Sequence, residues 1–140
     1  MERLLEYISH HPWYAGGLGL AAALVLVFEL RARRDSQAAV SPQDLIRLLN
    51  QGALLIDLRG AEAFASGHVA GARQMDGEQI LKAGDTLRKH KEKTVVVYDD
   101  TGSVGAAAVR QLVEQGFTRA FNLRGGLAAW RAENLPLSRT

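Results

Sequence analysis

Apolar and polar positions alternate along this chain in three distinct ways, and each predicts a different kind of element. Residues 12–28, from Pro12 to Phe28, carry no charge at all. A helix that crosses a bilayer needs roughly 20 mostly apolar residues, with about 17 as the lower limit. This run sits at that limit, and Leu4, Leu5 and Ile8 before it and Leu30 after it extend the apolar stripe. Trp13 and Tyr14 stand where an interfacial aromatic belt belongs, and Glu29 is near enough to the end to snorkel. Shorter apolar runs at 53–58, 94–98 and 120–123 have the length of strands buried on both faces. Helical spacing appears at Leu45, Ile46, Leu48 and Leu49, at Ile80, Leu81 and Leu87, and at Ala106, Ala107, Val109, Leu112 and Val113.

Punctuation between these runs fixes their ends. Ser41 is placed as an N-cap with Pro42 at the first helical position and Asp44 at the third, and Gly52 stops that helix. The first strand runs out into Asp57-Leu58-Arg59-Gly60, after which Phe64 and Val69 anchor a turn-rich segment. Met75 is expected in a short strand, and Gly77 to His90 as two helical pieces broken at Gly84-Asp85. Gln115-Gly116-Phe117 closes a helix with an apolar plug, Gly125-Gly126 opens a terminal one, and Leu135-Pro136-Leu137 ends the domain. Strands and helices alternate from 41 to 137, which predicts an α/β domain with a mainly parallel sheet. The expected division is an anchor with its basic flank over 1–34, a linker over 35–40, the domain over 41–137 and a tail over 138–140.

Charge orients the N-terminal segment. A cleaved signal peptide carries its positive charge before the apolar run, whereas here Arg31, Arg33 and Arg34 follow it. A buried core helix is not apolar all round with Gly16, Gly17 and Gly19 in its first half, and an interfacial helix needs a charged face. The segment therefore reads as a single-pass anchor, with the N-terminus outside and the domain in the cytoplasm by the positive-inside rule. Gly17/Ala21 and Gly19/Ala23 are small-residue pairs that suit either a packing face or a plain anchor. The run Arg88 to Lys93, interrupted by Glu92, reads as a solvated helix end, with a lipid-binding patch as the alternative. Composition removes other classes. With 17 basic against 15 acidic residues and no basic face interleaved with aromatics, nucleic acid is not an expected partner. With no cysteine among 140 residues there is no disulfide framework, thiolate metal site or cysteine nucleophile.

Ligands of open α/β sheets gather where a strand ends and a helix begins, which points to Asp99-Asp100-Thr101-Gly102-Ser103-Val104. Several separated stretches then occur in a familiar order. They are Leu55-Ile56-Asp57-Leu58-Arg59, Glu62-Ala63-Phe64, Gly67-His68-Val69-Ala70-Gly71-Ala72 and Val95 to Tyr98 with Gly102. Leu112 to Phe117, Leu123-Arg124-Gly125-Gly126 and Ala129-Trp130 complete the series. Together these resemble the rhodanese-like domain family, in its membrane-anchored bacterial type, over nearly all of 41–137. The resemblance implies a three-layer α/β fold around a central parallel five-stranded sheet, here preceded by one N-terminal transmembrane helix. It also implies an active-site loop that starts with a persulfide-carrying cysteine, with glycine three residues on and often arginine two further. Those positions hold Asp99, Gly102 and Val104.

A carboxylate cannot form the S–S bond of a persulfide, so no sulfurtransferase activity is expected. Asp99 and Asp100 also disfavour an anionic ligand, since like charges about 4 Å apart repel by on the order of 4 kcal/mol at an effective dielectric of about 20. Asp100 or Thr101 is expected to cap the next helix, with the Asp99 carboxylate folded into the N–H nest of the loop. Within the family's structural motif, His68 is read as a hydrogen-bonded loop anchor, Asp57 and Arg59 as an ion pair or turn contacts, and Trp130 as core. Gly67, Gly71, Gly125 and Gly126 complete that motif. No metal or cofactor is expected. Two rival readings remain: Asp99 as nucleophile of a metal-dependent, phosphatase-like enzyme, and a neutral or cationic ligand in the old crevice. The first departs from the Asp-x-Asp-x-Thr spacing of such enzymes and has Asp57 as its only further acid. The leading expectation is an inactive module at the bacterial inner membrane that binds another membrane or membrane-surface protein.

Overall fold

The structure, a computed structural model, describes residues 2–10 and 12–139. They divide between Ser36 and Gln37 into two units. The first holds α1 (Glu2–His10) and most of α2 (Pro12–Gln37). Leu4, Leu5 and Ile8 thus belong to a separate helix; the side chain of Ile8, with Met1 and Thr140, lies outside the described residues. No residue of α2 is buried, although its 18-residue apolar window has a mean hydropathy of 1.7. At 1.5 Å per residue its 26 residues extend about 39 Å, enough to cross a hydrocarbon core of about 30 Å. The helix continues through Arg31, Arg33 and Arg34 to Gln37, because nothing in that polar stretch breaks it.

The expected linker over 35–40 is corrected by this: its first half is helix and its end is strand β1 (Ala39–Val40). From there follow α3 (Pro42–Asn50), β2 (Leu54–Asp57), α4 (Ala61–Ser66) and β3 (Arg73–Gln74). Next come α5 (Gly77–Leu81), α6 (Ala83–Thr86), a 3-10 turn at Arg88–His90 and β4 (Thr94–Tyr98). α7 (Ser103–Glu114), β5 (Arg119–Leu123) and α8 (Gly126–Ala132) complete the order. The break among the helical pieces falls at Lys82 rather than at Gly84-Asp85, which lie inside α6. Asp76 starts α5 with a full capping box, and that fixes its phase. Met75 lies just past β3 and is buried instead. Ser138, assigned to the tail, forms an antiparallel bridge with His68 and so belongs to the fold.

The five strands pair in the order β1-β5-β4-β2-β3, all parallel. Alternation along the strands divides the core. Ile56, Val95 and Val97 face Ile80, Ala83, Leu87, Val109, Leu112 and Phe117 on the α5–α7 side. Leu55, Val96 and Tyr98 face Leu45, Leu127 and Trp130 on the α3–α8 side. These are the three layers. From β2 the chain moves outward to β3, then crosses back to β4 and on to β5. The sheet therefore reverses direction between β2 and β4, where a crevice opens beyond their carboxyl ends.

Candidate functional site

Two loops meet at that crevice, Asp57-Leu58-Arg59 after β2 and Asp99 to Gly102 after β4. The Leu58 N–H donates to the Tyr98 carbonyl at 2.9 Å and joins them. Asp99 is only 6% exposed. Its Oδ1 accepts from the N–H of Gly102 at 2.7 Å and of Gly105 at 3.4 Å, and its Oδ2 from that of Val104 at 3.1 Å. The carboxylate thus sits in the cradle of N–H groups at the start of α7. Gly102, at φ +99°, occupies the N-cap position and offers no side chain. Asp99 does the capping from three residues upstream, so the cap is neither Asp100 nor Thr101; both are exposed. An exposed hydroxyl–hydroxyl contact at 3.3 Å joins Thr101 to Ser103.

The far side of the loop is held by α8. The Leu127 N–H donates to the Asp99 carbonyl at 2.8 Å and the Ala128 N–H to the Asp100 carbonyl at 3.0 Å. A Cβ at Gly126 would stand 2.5 Å from the Asp99 carbonyl oxygen, which is why the backbone needs glycine there. Gly125, at φ +75°, makes the turn into α8. Asn122 contributes a tie absent from the sequence reading: its Nδ2 donates to the Gly102 carbonyl at 2.8 Å. A Cβ at Gly105 would collide with its Oδ1 at 2.0 Å. One signal was available, a carboxamide in the otherwise apolar run Ala120 to Leu123.

Behind the first loop lies a buried charge cluster. Asp57 is fully buried and accepts from the Arg59 backbone N–H at 2.8 Å, from its Nε at 3.1 Å and from its Nη2 at 2.8 Å. Tyr98 donates its hydroxyl to Asp57 Oδ2 at 2.7 Å and accepts from the Val69 N–H at 3.1 Å. Burial, then the bond to Asp57, pushes the Tyr98 phenol well above its ordinary value. Arg59 also donates to the Gly67 carbonyl and approaches the exposed Asp100 carboxylate at 3.8 Å. Both charges are fully partnered, as a buried pair must be.

The remaining motif residues are packed within the fold. His68, 1% exposed, contacts the Phe64 carbonyl through Nδ1 at 2.8 Å and stacks on the Phe64 ring at 3.8 Å. Gly71 turns at φ +85°, and Trp130, 4% exposed, donates to the Pro136 carbonyl at 3.0 Å. Among the described residues no three His, Cys, Asp or Glu side chains form a metal-sized group. Asp57, the further acid for a metal shared with Asp99 and Asp100, is turned into Arg59 and Tyr98 instead. Val104, 57% exposed, borders with Leu58, Ile80 and Ala107 a shallow apolar cavity of about 160 Å³. Chemically the loop is a filled anion cradle beside an apolar rim.

Comparison with known proteins agrees with this geometry. The sequence model of the Rhodanese-like domain matches residues 41–133. The protein YibN of Escherichia coli K12, described as uncharacterized, is 31% identical over 142 residues, covering 99% of each chain. The thiosulfate sulfurtransferase GlpE of Pseudomonas putida GB-1 is 36% identical over 94 residues, covering 66% of this chain and 84% of GlpE. The solution structure of a rhodanese-like domain from Anabaena superposes with a TM-score of 0.64 at 28% identity, covering 74% of this chain and 80% of that one.

Proposed function

The chain belongs to the rhodanese-like domain family, and we propose that it is a member without sulfur transfer that works as a membrane-anchored, protein-binding module. The observation that carries this is the Asp99 carboxylate closed into the loop's own N–H groups. A sulfurtransferase needs a thiolate there to accept and release sulfane sulfur. This chain has no cysteine anywhere, and an anionic substrate would meet a cradle already holding a negative charge.

The anchor is supported by the exposed apolar length of α2, by the arginines that follow its charge-free run, and by the alignment with YibN, which takes in this segment along with the domain. The arginine flank favours a cytoplasmic domain on a bacterial inner membrane. A rigid loop with an apolar rim at Val104 and Leu58 suits contact with a partner more than turnover. The partner class is a second membrane protein or a protein working at the membrane surface.

The test uses the full chain. It should resist alkaline carbonate extraction from membranes, show no thiosulfate:cyanide turnover above blank in mild detergent, and co-purify with a defined membrane protein that Val104→Arg releases. Turnover by the wild-type chain overturns the loss of chemistry. Release by carbonate overturns the anchor, and a chain that purifies alone from intact membranes overturns the binding role.

A further inference from the structure

We propose that the cavity between the β3 edge and α5–α6 is a separate site of this domain that binds a phosphate group. It measures about 250 Å³ and is lined by Arg73, Gln79, Lys82 and Thr86 over an apolar floor of Met75 and Leu87. The two cations come from different elements, Arg73 from β3 and Lys82 from the end of α5. Neither makes a side-chain hydrogen bond or ion pair among the described residues. Gln79 accepts from the Asp76 N–H at 2.8 Å through Oε1, which leaves its Nε2 donor for the cavity. Thr86 donates its hydroxyl to the Lys82 carbonyl at 3.3 Å and Gln74 its amide to the Arg59 carbonyl at 2.8 Å, so the donors left open in the lining are those of Arg73, Lys82 and Gln79. A guanidinium beside an ammonium is the arrangement that binds phosphate oxygens, the first by a planar fork and the second as a point charge.

Two of the neighbouring acids are engaged elsewhere. Asp76 caps α5 through the Gln79 N–H at 2.9 Å, and Asp85 pairs with Arg88 at 3.5 Å. Glu78 lies four residues before Lys82 without forming an ion pair with it. The positive field is also felt nearby. His90, whose Nδ1 is buried without a hydrogen-bond partner among the described residues, is held below its usual range by burial and then by Lys93, Arg73 and Lys89. The site goes beyond the proposed function and does not depend on it. The loop after β4 has its N–H groups filled by Asp99, whereas here the donors stand open.

The shared chemistry is a phosphate group, carried either by a soluble ligand or by an anionic lipid headgroup. The full chain in uncharged detergent is titrated with inorganic phosphate at constant ionic strength, following the backbone amide resonances of Gln74, Gln79 and Thr86. A saturable shift is expected, at least fivefold weaker in Arg73→Ala and in Lys82→Ala, tighter in Glu78→Gln and restored in Lys82→Arg. A second arm compares the full chain in phosphatidylcholine nanodiscs with and without phosphatidylglycerol. Response of those amides to phosphate alone assigns the site to a soluble ligand, and response to phosphatidylglycerol assigns it to lipid. No response in either arm overturns the proposal, as does binding that the Arg73→Ala/Lys82→Ala double variant leaves unchanged. The phosphate arm needs no membrane, so its outcome is independent of the anchor.

Discussion

Replacing Asp99 by alanine removes the acceptor around which the β4–α7 loop closes. Two of its bonds are well formed, at 2.7 Å to the Gly102 N–H and 3.1 Å to the Val104 N–H, while the 3.4 Å contact to Gly105 is long. Hydrogen bonds to a charged partner contribute about 1.5–3 kcal/mol each, and loss of a helix cap alone costs about 0.5–2 kcal/mol. Val104 is exposed, so water takes over its N–H, while the Gly102 and Gly105 donors lie deeper. The expected loss is about 2–3 kcal/mol. Asn keeps an acceptor but not the charge, so Asp99→Asn should cost about 1 kcal/mol. At roughly 4–8 °C per kcal/mol for a domain of about 100 residues, the alanine variant should melt about 8–24 °C lower. Urea unfolding of the full chain in uncharged detergent reports this through Trp130, with Trp13→Phe as the common background because the chain has 2 tryptophans. If Asp99→Ala lies within about 0.5 kcal/mol of the parent, water satisfies the cradle and the carboxylate does not hold the loop.

Two further perturbations probe the cluster behind the first loop. Arg59→Met leaves the fully buried Asp57 without its cation and should cost about 3–5 kcal/mol by the same unfolding assay, much of it recovered in Asp57→Leu/Arg59→Met. Tyr98 holds its proton more tightly in the folded than in the unfolded chain, where its value is about 10. Its contribution is therefore complete below pH ~10 and falls as pH rises further; Tyr98→Phe should flatten the stability curve above pH 10 while lowering it by about 1–2 kcal/mol at neutral pH.

What could be read from the residues is what depends on near neighbours in the chain. Ser41 caps α3 through the Asp44 N–H at 3.1 Å, as its position before Pro42 implies, and the run Thr94 to Tyr98 is the central buried strand. Asp57 and Arg59, two residues apart, close on one another. What escaped depends on distant partners. β1 is two residues long and exists only through pairing with β5, so no run of its own announces it, and the short strand expected at Met75 lies at Arg73–Gln74, where pairing with β2 places it. Capping rules are local and point to Asp100 or Thr101 for α7, whereas a left-handed Gly102 folds the loop back onto Asp99. Asn122 reaches Gly102 from a strand 20 residues later, and Tyr98 reaches Asp57 across 41.

The closed cradle also works as a ratchet on descent. A thiol placed at position 99 by one substitution would first lose the acceptor that keeps the loop shut, and would still face Val104 rather than a cation. The change at position 99 would lower stability before it brought any turnover. At least two coordinated changes separate this loop from one with a thiol at position 99 and a cation at position 104.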